Sequence, residues 1–140
     1  SSDVCSSDLM MLASMEAMMP CKGLGAGHAL ANTFGDQGLH HGTLVTVALP
    51  AVLRRLDAHC GDKLKAMADA MGLEKGRHAA AGIADMNERL GLPVNMKKYG
   101  YKITNLDELV DDAHKSWFNH TAPYHFTAAE YRDVIEEILG

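Results

Sequence analysis

Apolar residues along this chain recur at helical spacing, and no stretch alternates convincingly with the two-residue period of a strand. Residues 12–19 read as the end of a helix closed by Pro20, because proline disfavours helical geometry at the residue before it. Residues 23–34 form a second helical stretch, and 35–39 a loop. Between 41 and 59 the positions Leu44, Val45, Val47, Ala48, Leu49, Val52, Leu53 and Leu56 surround the helix rather than striping it. That pattern predicts a central, buried helix, with a kink at Pro50.

Further on, Asp62 stands where it can cap a helix whose Leu64, Met67, Ala68 and Met71 share one face before Gly72 ends it. A helix over 75–90 follows, stopped by Gly91 and Pro93. Asn105, with Glu108 three residues on, opens a stripe of Leu106, Leu109, Val110, Ala113 and Trp117. Thr127 to Glu130 spells a capping box, after which Tyr131, Val134, Ile135, Ile138 and Leu139 face inward. The methionines at 10, 11, 15, 18 and 19 read as core packing. The fold class expected is all-α, a helical bundle with no internal repeat.

Residues 1–9, SSDVCSSDL, are polar and aperiodic. They resemble the conceptual translation of a sequencing-library adapter and are set aside from fold reasoning. Residues 10–140 then form one helical domain, with native sequence beginning near Met10 and anything upstream lost.

Composition narrows the function classes. A chain of 140 residues with 47% hydrophobic and 22% charged residues can build a core. Its net charge of −5 argues against nucleic acid as a partner, and no apolar run approaches a bilayer span. Cys5, Cys21 and Cys60 form no C-x-x-C pair and are odd in number, so free thiols in a reducing, cytoplasmic compartment are expected. The apolar stretch at 10–19 lacks a basic flank and contains Glu16, which weakens a signal-peptide reading.

Of the eight histidines, only one neighbourhood arranges them usefully. His28 lies within a helix, and His40 and His41 begin the next one after a glycine-containing loop. Antiparallel helices joined this way can aim one imidazole each at a common point, and neutral imidazole suits Fe, Zn, Cu and Ni. On these residues alone, a metal site and a pair of structural histidines stand about even. The glycines of Lys22 to Gly27 follow no strand and fit neither phosphate-binding fingerprint. His59, His78 and His114 read as solvated surface, and His120 and His125 as flanks of a connector at Thr121-Ala122-Pro123.

The same neighbourhood resembles the signature of the iron-containing (group III) alcohol dehydrogenases. That signature runs G-L-G-x-x-H-A-x-x-H and then, after a loop, H-G-x-x-x-A-x-x-L-P. Here Gly23-Leu24-Gly25-Ala26-Gly27-His28-Ala29 is followed by His41-Gly42 and by Leu49-Pro50 at the matching distance, with Thr46 in place of the alanine. Looser similarity continues through Gly61-Asp62-Lys63-Leu64, Met71-Gly72-Leu73 and Arg89-Leu90-Gly91-Leu92-Pro93.

The resemblance implies a C-terminal helical metal-binding domain whose partner, an N-terminal nucleotide-binding domain, is missing from this chain. The family's metal, Fe(II) and sometimes Zn(II), is held by one Asp and three His, two of which correspond to His28 and His41. The other two come from a D-x-x-x-H helix, a spacing absent between Met10 and His28. The implied chemistry is interconversion of a small primary alcohol or hydroxy acid with its aldehyde or ketone, the metal acting as Lewis acid and hydride passing to or from NAD or NADP held by the missing domain. Asn32 occupies the place of a second family histidine, and Asn32 and Phe34 are expected to line the substrate site. His40 is expected to be structural, and the parent enzyme a homo-oligomer. The alternative is a free-standing helical interaction or regulatory module that kept the fold and lost the chemistry.

Overall fold

A computed structural model describes residues 6–19 and 24–140; Cys5, Pro20, Cys21 and Gly23, with the expectations placed on them, lie outside the described residues. The helices are α1 (Ser6–Met18), α2 (Ala26–Thr33), α3 (His41–Ala70), α4 (Ala79–Arg89), α5 (Met96–Tyr99), α6 (Leu106–Lys115) and α7 (Ala128–Leu139). Short 3-10 turns span Phe34–Gln37 and Trp117–Thr121, and no strand occurs among the described residues. No helix among them is long and apolar enough to cross a membrane.

The predicted central helix is α3, which packs against α2, α4 and α7, while α6 closes the bundle against α2 and α7. Its Leu44, Val47, Ala48, Ala51, Val52, Leu53 and Leu56 are all buried, as a helix surrounded by neighbours requires. Pro50, however, does not kink it. The one residue inside α3 with non-helical dihedrals is Cys60, a half-buried free thiol at φ −132° and ψ 23°. Proline removes the N–H that the carbonyl of Thr46 would otherwise accept from. Asn87 of α4 replaces it, donating from Nδ2 to the Thr46 carbonyl oxygen at 3.0 Å. With that acceptor satisfied, the helix runs on past Pro50; the kink falls at Cys60 instead, so α3 is two helical segments joined there, and Asp62 stands in the first turn of the second.

Helix ends follow local chemistry where the backbone demands it. Gly72 adopts φ +68°, Leu73 N–H reaches the carbonyl of Ala68 at 3.1 Å, and Gly72 N–H that of Asp69 at 3.0 Å. This pair of bonds is the Schellman arrangement that stops α3 as predicted. Gly76, at φ +88°, delays the next helix, so α4 starts at Ala79 rather than near 75. On α6 the Asn105 cap forms as expected, its side chain accepting from the N–H groups of Asp107 and Glu108. Ser116 then turns extended (ψ 134°), the stripe ends at Ala113, and Trp117 is left 71% exposed instead of facing inward.

The capping box opens α7, with Thr127 Oγ1 accepting from the Glu130 N–H and the Glu130 carboxylate accepting from the Thr127 N–H at 2.8 Å. Tyr131, Val134, Ile135, Ile138 and Leu139 are buried as predicted. The Glu130 carboxyl is held below its ordinary 4.5, first by the Thr127 backbone N–H and further by the Thr127 and Tyr124 hydroxyls, against the opposing effect of burial. A depressed carboxylate stabilises the fold fully above the unfolded value and loses that contribution as pH falls through the folded one. Glu130→Gln is therefore expected to flatten part of the acid decline in stability in urea titrations between about pH 6 and pH 3. Thr127→Ala is expected to cost about 1 kcal/mol at neutral pH.

The expectation for the N-terminal methionines is overturned. No residue of α1 is buried, and Met10, Met11, Met15, Met18 and Met19 are between 57% and 77% exposed. The helix also begins at Ser6, inside the segment set aside as aperiodic. Its apolar residues are not gathered on one stripe that a neighbouring helix could bury.

Candidate metal centre

His28 and His41 come together. α2 starts after Gly25, whose extended backbone (φ −135°, ψ −155°) lets the chain turn into the helix, and buries Ala26, Ala29, Leu30 and Ala31. His28, half-buried on the same helix, faces His41, the first residue of α3, with ring centroids 5.3 Å apart and planes tilted by 50°. The third ring is Phe118, from the 3-10 turn after α6, 6.0 Å from His28.

Burial lowers the His28 pKa, and the neighbouring His41 lowers it further. The neutral imidazole, with a free lone pair, is thus the favoured form beside His41, and that is the form a metal takes. Two nitrogen donors on rigid helices fit Fe(II) or Zn(II) in type, but not in number. Among the described residues no group of three or more His, Cys, Asp or Glu side chains is placed to hold an ion. The pair by itself offers two donors, fewer than such an ion takes.

His40 plays a different part from its neighbour. Its N–H donates to the Tyr99 hydroxyl at 3.1 Å, and its Nδ1 lies 3.4 Å from Thr43 Oγ1. Asn32 is exposed on α2 and borders a shallow groove with Thr33, Asp112, Lys115 and Ser116, between α2 and α6. Phe34 is fully buried and meets Tyr101 edge-on at 4.8 Å. The structure therefore puts Phe34 in the core, where the chain turns into its 3-10 segment, and not on an open substrate wall.

Phe118 escaped sequence reasoning because nothing local ties it to His28, ninety positions earlier. Its turn is fastened to the segment just before α2 by Thr121, whose hydroxyl donates to the Leu24 carbonyl. Of the remaining histidines, His78, His114, His120 and His125 are exposed. His59 is exposed too, but one face is covered by Tyr124, stacked at 3.5 Å and 9°.

Comparison with known proteins supplies the context for this pair. Residues 1–139 match the family described as Fe-containing alcohol dehydrogenase, C-terminal. The chain is 37% identical over 141 residues to 4-hydroxybutyrate dehydrogenase of Cupriavidus necator, covering 93% of this chain and 37% of that protein. It is 29% identical over 124 residues to maleylacetate reductase of Burkholderia cepacia, covering 88% and 33%.

Among solved structures, a 1,3-propanediol oxidoreductase superposes with a TM-score of 0.76 at 24% identity, over 83% of this chain and 33% of that one. Maleylacetate reductase from Agrobacterium tumefaciens gives 0.70 at 24% identity, over 84% and 32%. At that identity the structural likeness speaks for the fold. The chain spans about a third of the length of the relatives it matches. It belongs to the iron-containing alcohol dehydrogenase family and corresponds to that family's C-terminal, helical part.

Proposed function

We propose that this chain supplies the helical, two-histidine portion of a metal-dependent, NAD(P)-linked oxidoreductase that interconverts a small alcohol or hydroxy acid with its carbonyl compound. The observation carrying this reading is the pairing of His28 and His41 at 5.3 Å from two different helices, inside the motif on which the family resemblance rests. A module that had lost the chemistry has no need to keep two imidazoles facing each other. The exposed Met15 and Met18 of α1, with Leu24 half-buried, support the same reading, since an uncovered apolar helix calls for a further packing partner.

His28 and His41 would hold the metal, and a divalent cation there supplies Lewis-acid polarisation of an alcohol or carbonyl oxygen. The protein's own contribution is positioning. The helix frame fixes both imidazoles, burial and His41 lower the His28 pKa, and Phe118 narrows access on one side of His28. The nicotinamide and the remaining ligands belong to regions beyond this chain. One relative's name makes a hydroxy acid the first substrate class to try.

Residues 1–140 alone are expected to bind Zn(II) or Fe(II) weakly by calorimetry and to show no nicotinamide-linked turnover. Tight, stoichiometric binding abolished by His28→Ala would sink the half-shell reading. Tight binding regained on co-expression with a D-x-x-x-H-bearing partner region, and lost again in His41→Ala, supports it.

A further inference from the structure

The loop that joins the two histidine helices is fastened from a distant part of the chain. Segment 99–102, which begins at the last residue of α5, makes three separate contacts with residues 34–40. Gln37 Nε2 donates to the Lys102 carbonyl at 2.7 Å, and the Lys102 N–H donates back to Gln37 Oε1 at 3.0 Å. The Tyr99 hydroxyl accepts the N–H of His40 at 3.1 Å. Tyr101 meets Phe34 edge-on at 4.8 Å. These partners are separated by 65 and 59 positions in sequence, so no local propensity produces the arrangement.

The contacts fall where the imidazole pair is most easily lost. His41 is the first residue of α3, and no side chain caps that helix. An uncapped first turn leaves backbone donors unpaired and frays readily. In the loop from Gln37 to His40 only Leu39 packs against the core, half-buried, while Gly38 and His40 are exposed, so apolar packing gives it a single anchor. The two bonds of Gln37 copy a peptide–peptide pairing, which fixes both position and direction, and the Tyr99 hydroxyl anchors the residue immediately before His41.

We propose that Gln37 and Tyr99 are positioning residues for the candidate metal centre: they brace the loop so that His41 stays opposite His28. This rests on the reading of that pair given above, and it assigns the 99–102 segment a part in the site that neither residue's type discloses.

The test compares the 140-residue chain with the Gln37→Ala/Tyr99→Phe double variant. Two readouts are used: a ring-to-ring nuclear Overhauser effect between His28 and His41, which needs no metal, and the electron-spin-echo signature of Cu(II)-iminodiacetate, which counts coordinating imidazoles. The brace predicts that the double variant loses the ring-to-ring effect and passes from two imidazoles to one, with affinity for the probe falling about 10–100-fold. The melting temperature is expected to move by only about 3–6 °C, the cost of the lost hydrogen bonds. Gln37→Glu, which keeps the acceptor for Lys102 N–H and loses the donor, is expected to lie between the two. A double variant with an undiminished ring-to-ring effect and wild-type probe affinity overturns the brace. A wild-type chain that shows one imidazole or none defeats the metal reading of the pair instead. The brace is then decided by the ring-to-ring effect alone.

Discussion

Tyr131→Ala is expected to cost about 3–5 kcal/mol, enough to leave the 140-residue chain largely unfolded at modest urea concentrations. Tyr131 is fully buried on α7, and its ring meets Phe126 at 5.4 Å in an edge-to-face contact. Its hydroxyl carries a second role, donating to Asn119 Oδ1 at 2.5 Å. Asn119 in turn donates from Nδ2 to the carbonyls of Ala113 and His114, each at 2.9 Å. Those carbonyls lie in the last turn of α6, where backbone donors run short, and that of Ala113 also accepts the Ser116 N–H at 3.3 Å. One tyrosine thus links the packing of α7 to the end of α6 and to the turn bearing Phe118.

Burial pushes the Tyr131 phenol up to about 12, although the bond to Asn119 pulls the other way. The proton needed for that donation therefore stays in place far above neutrality. Tyr131→Phe separates the two roles, keeping the ring and removing the donor, and is expected to cost about 1–2 kcal/mol. Urea unfolding of both variants measures this. A Phe variant as unstable as the Ala variant would show that the hydroxyl, not the ring, dominates. Because Phe118 precedes Asn119 and lies 6.0 Å from His28, the Phe variant is also expected to loosen that wall of the site.

The second large effect is at the proline of α3. Asn87→Leu is expected to destabilise by about 1–3 kcal/mol, because it strips the Thr46 carbonyl of its donor within a packed helix pair. Asn87 is only 6% exposed and is the single buried polar residue among those described, so water is a poor substitute. The same change made in a Pro50→Ala background is expected to cost less, since residue 50 then offers its own N–H to Thr46. A double-mutant cycle reads the difference as a coupling of about 1 kcal/mol. Zero coupling would mean that Asn87 stabilises by packing alone.

Both cases show where sequence reasoning reaches its limit. The spacing of apolar residues disclosed the helices over 41–59 and 105–115 and the final one, and the caps at Asn105 and Thr127 formed as read. Such signals are legible because cap and helix lie within four residues of each other, and their energetics are settled locally. The family motif likewise singled out His28 and His41 before any coordinates. By contrast, Pro50 promised a kink because proline's local cost is large, and a side chain 41 positions from Thr46 removed the reason for it. Trp117 belonged to the stripe by periodicity alone, until Ser116 left the helix and turned it outward.

What the chain's own order of residues determined is the helical class, most helix ends, and which two imidazoles are the candidates for the site. Periodicity, capping and motif spacing are properties of neighbours along the chain. What only the tertiary structure decided is that those imidazoles stand 5.3 Å apart, that Phe118 joins them, that Phe34 turns into the core, and that no residue of α1 is buried. These depend on contacts between segments tens of residues apart, whose free energy is set by packing and hydrogen bonding across space and has no signature in local sequence.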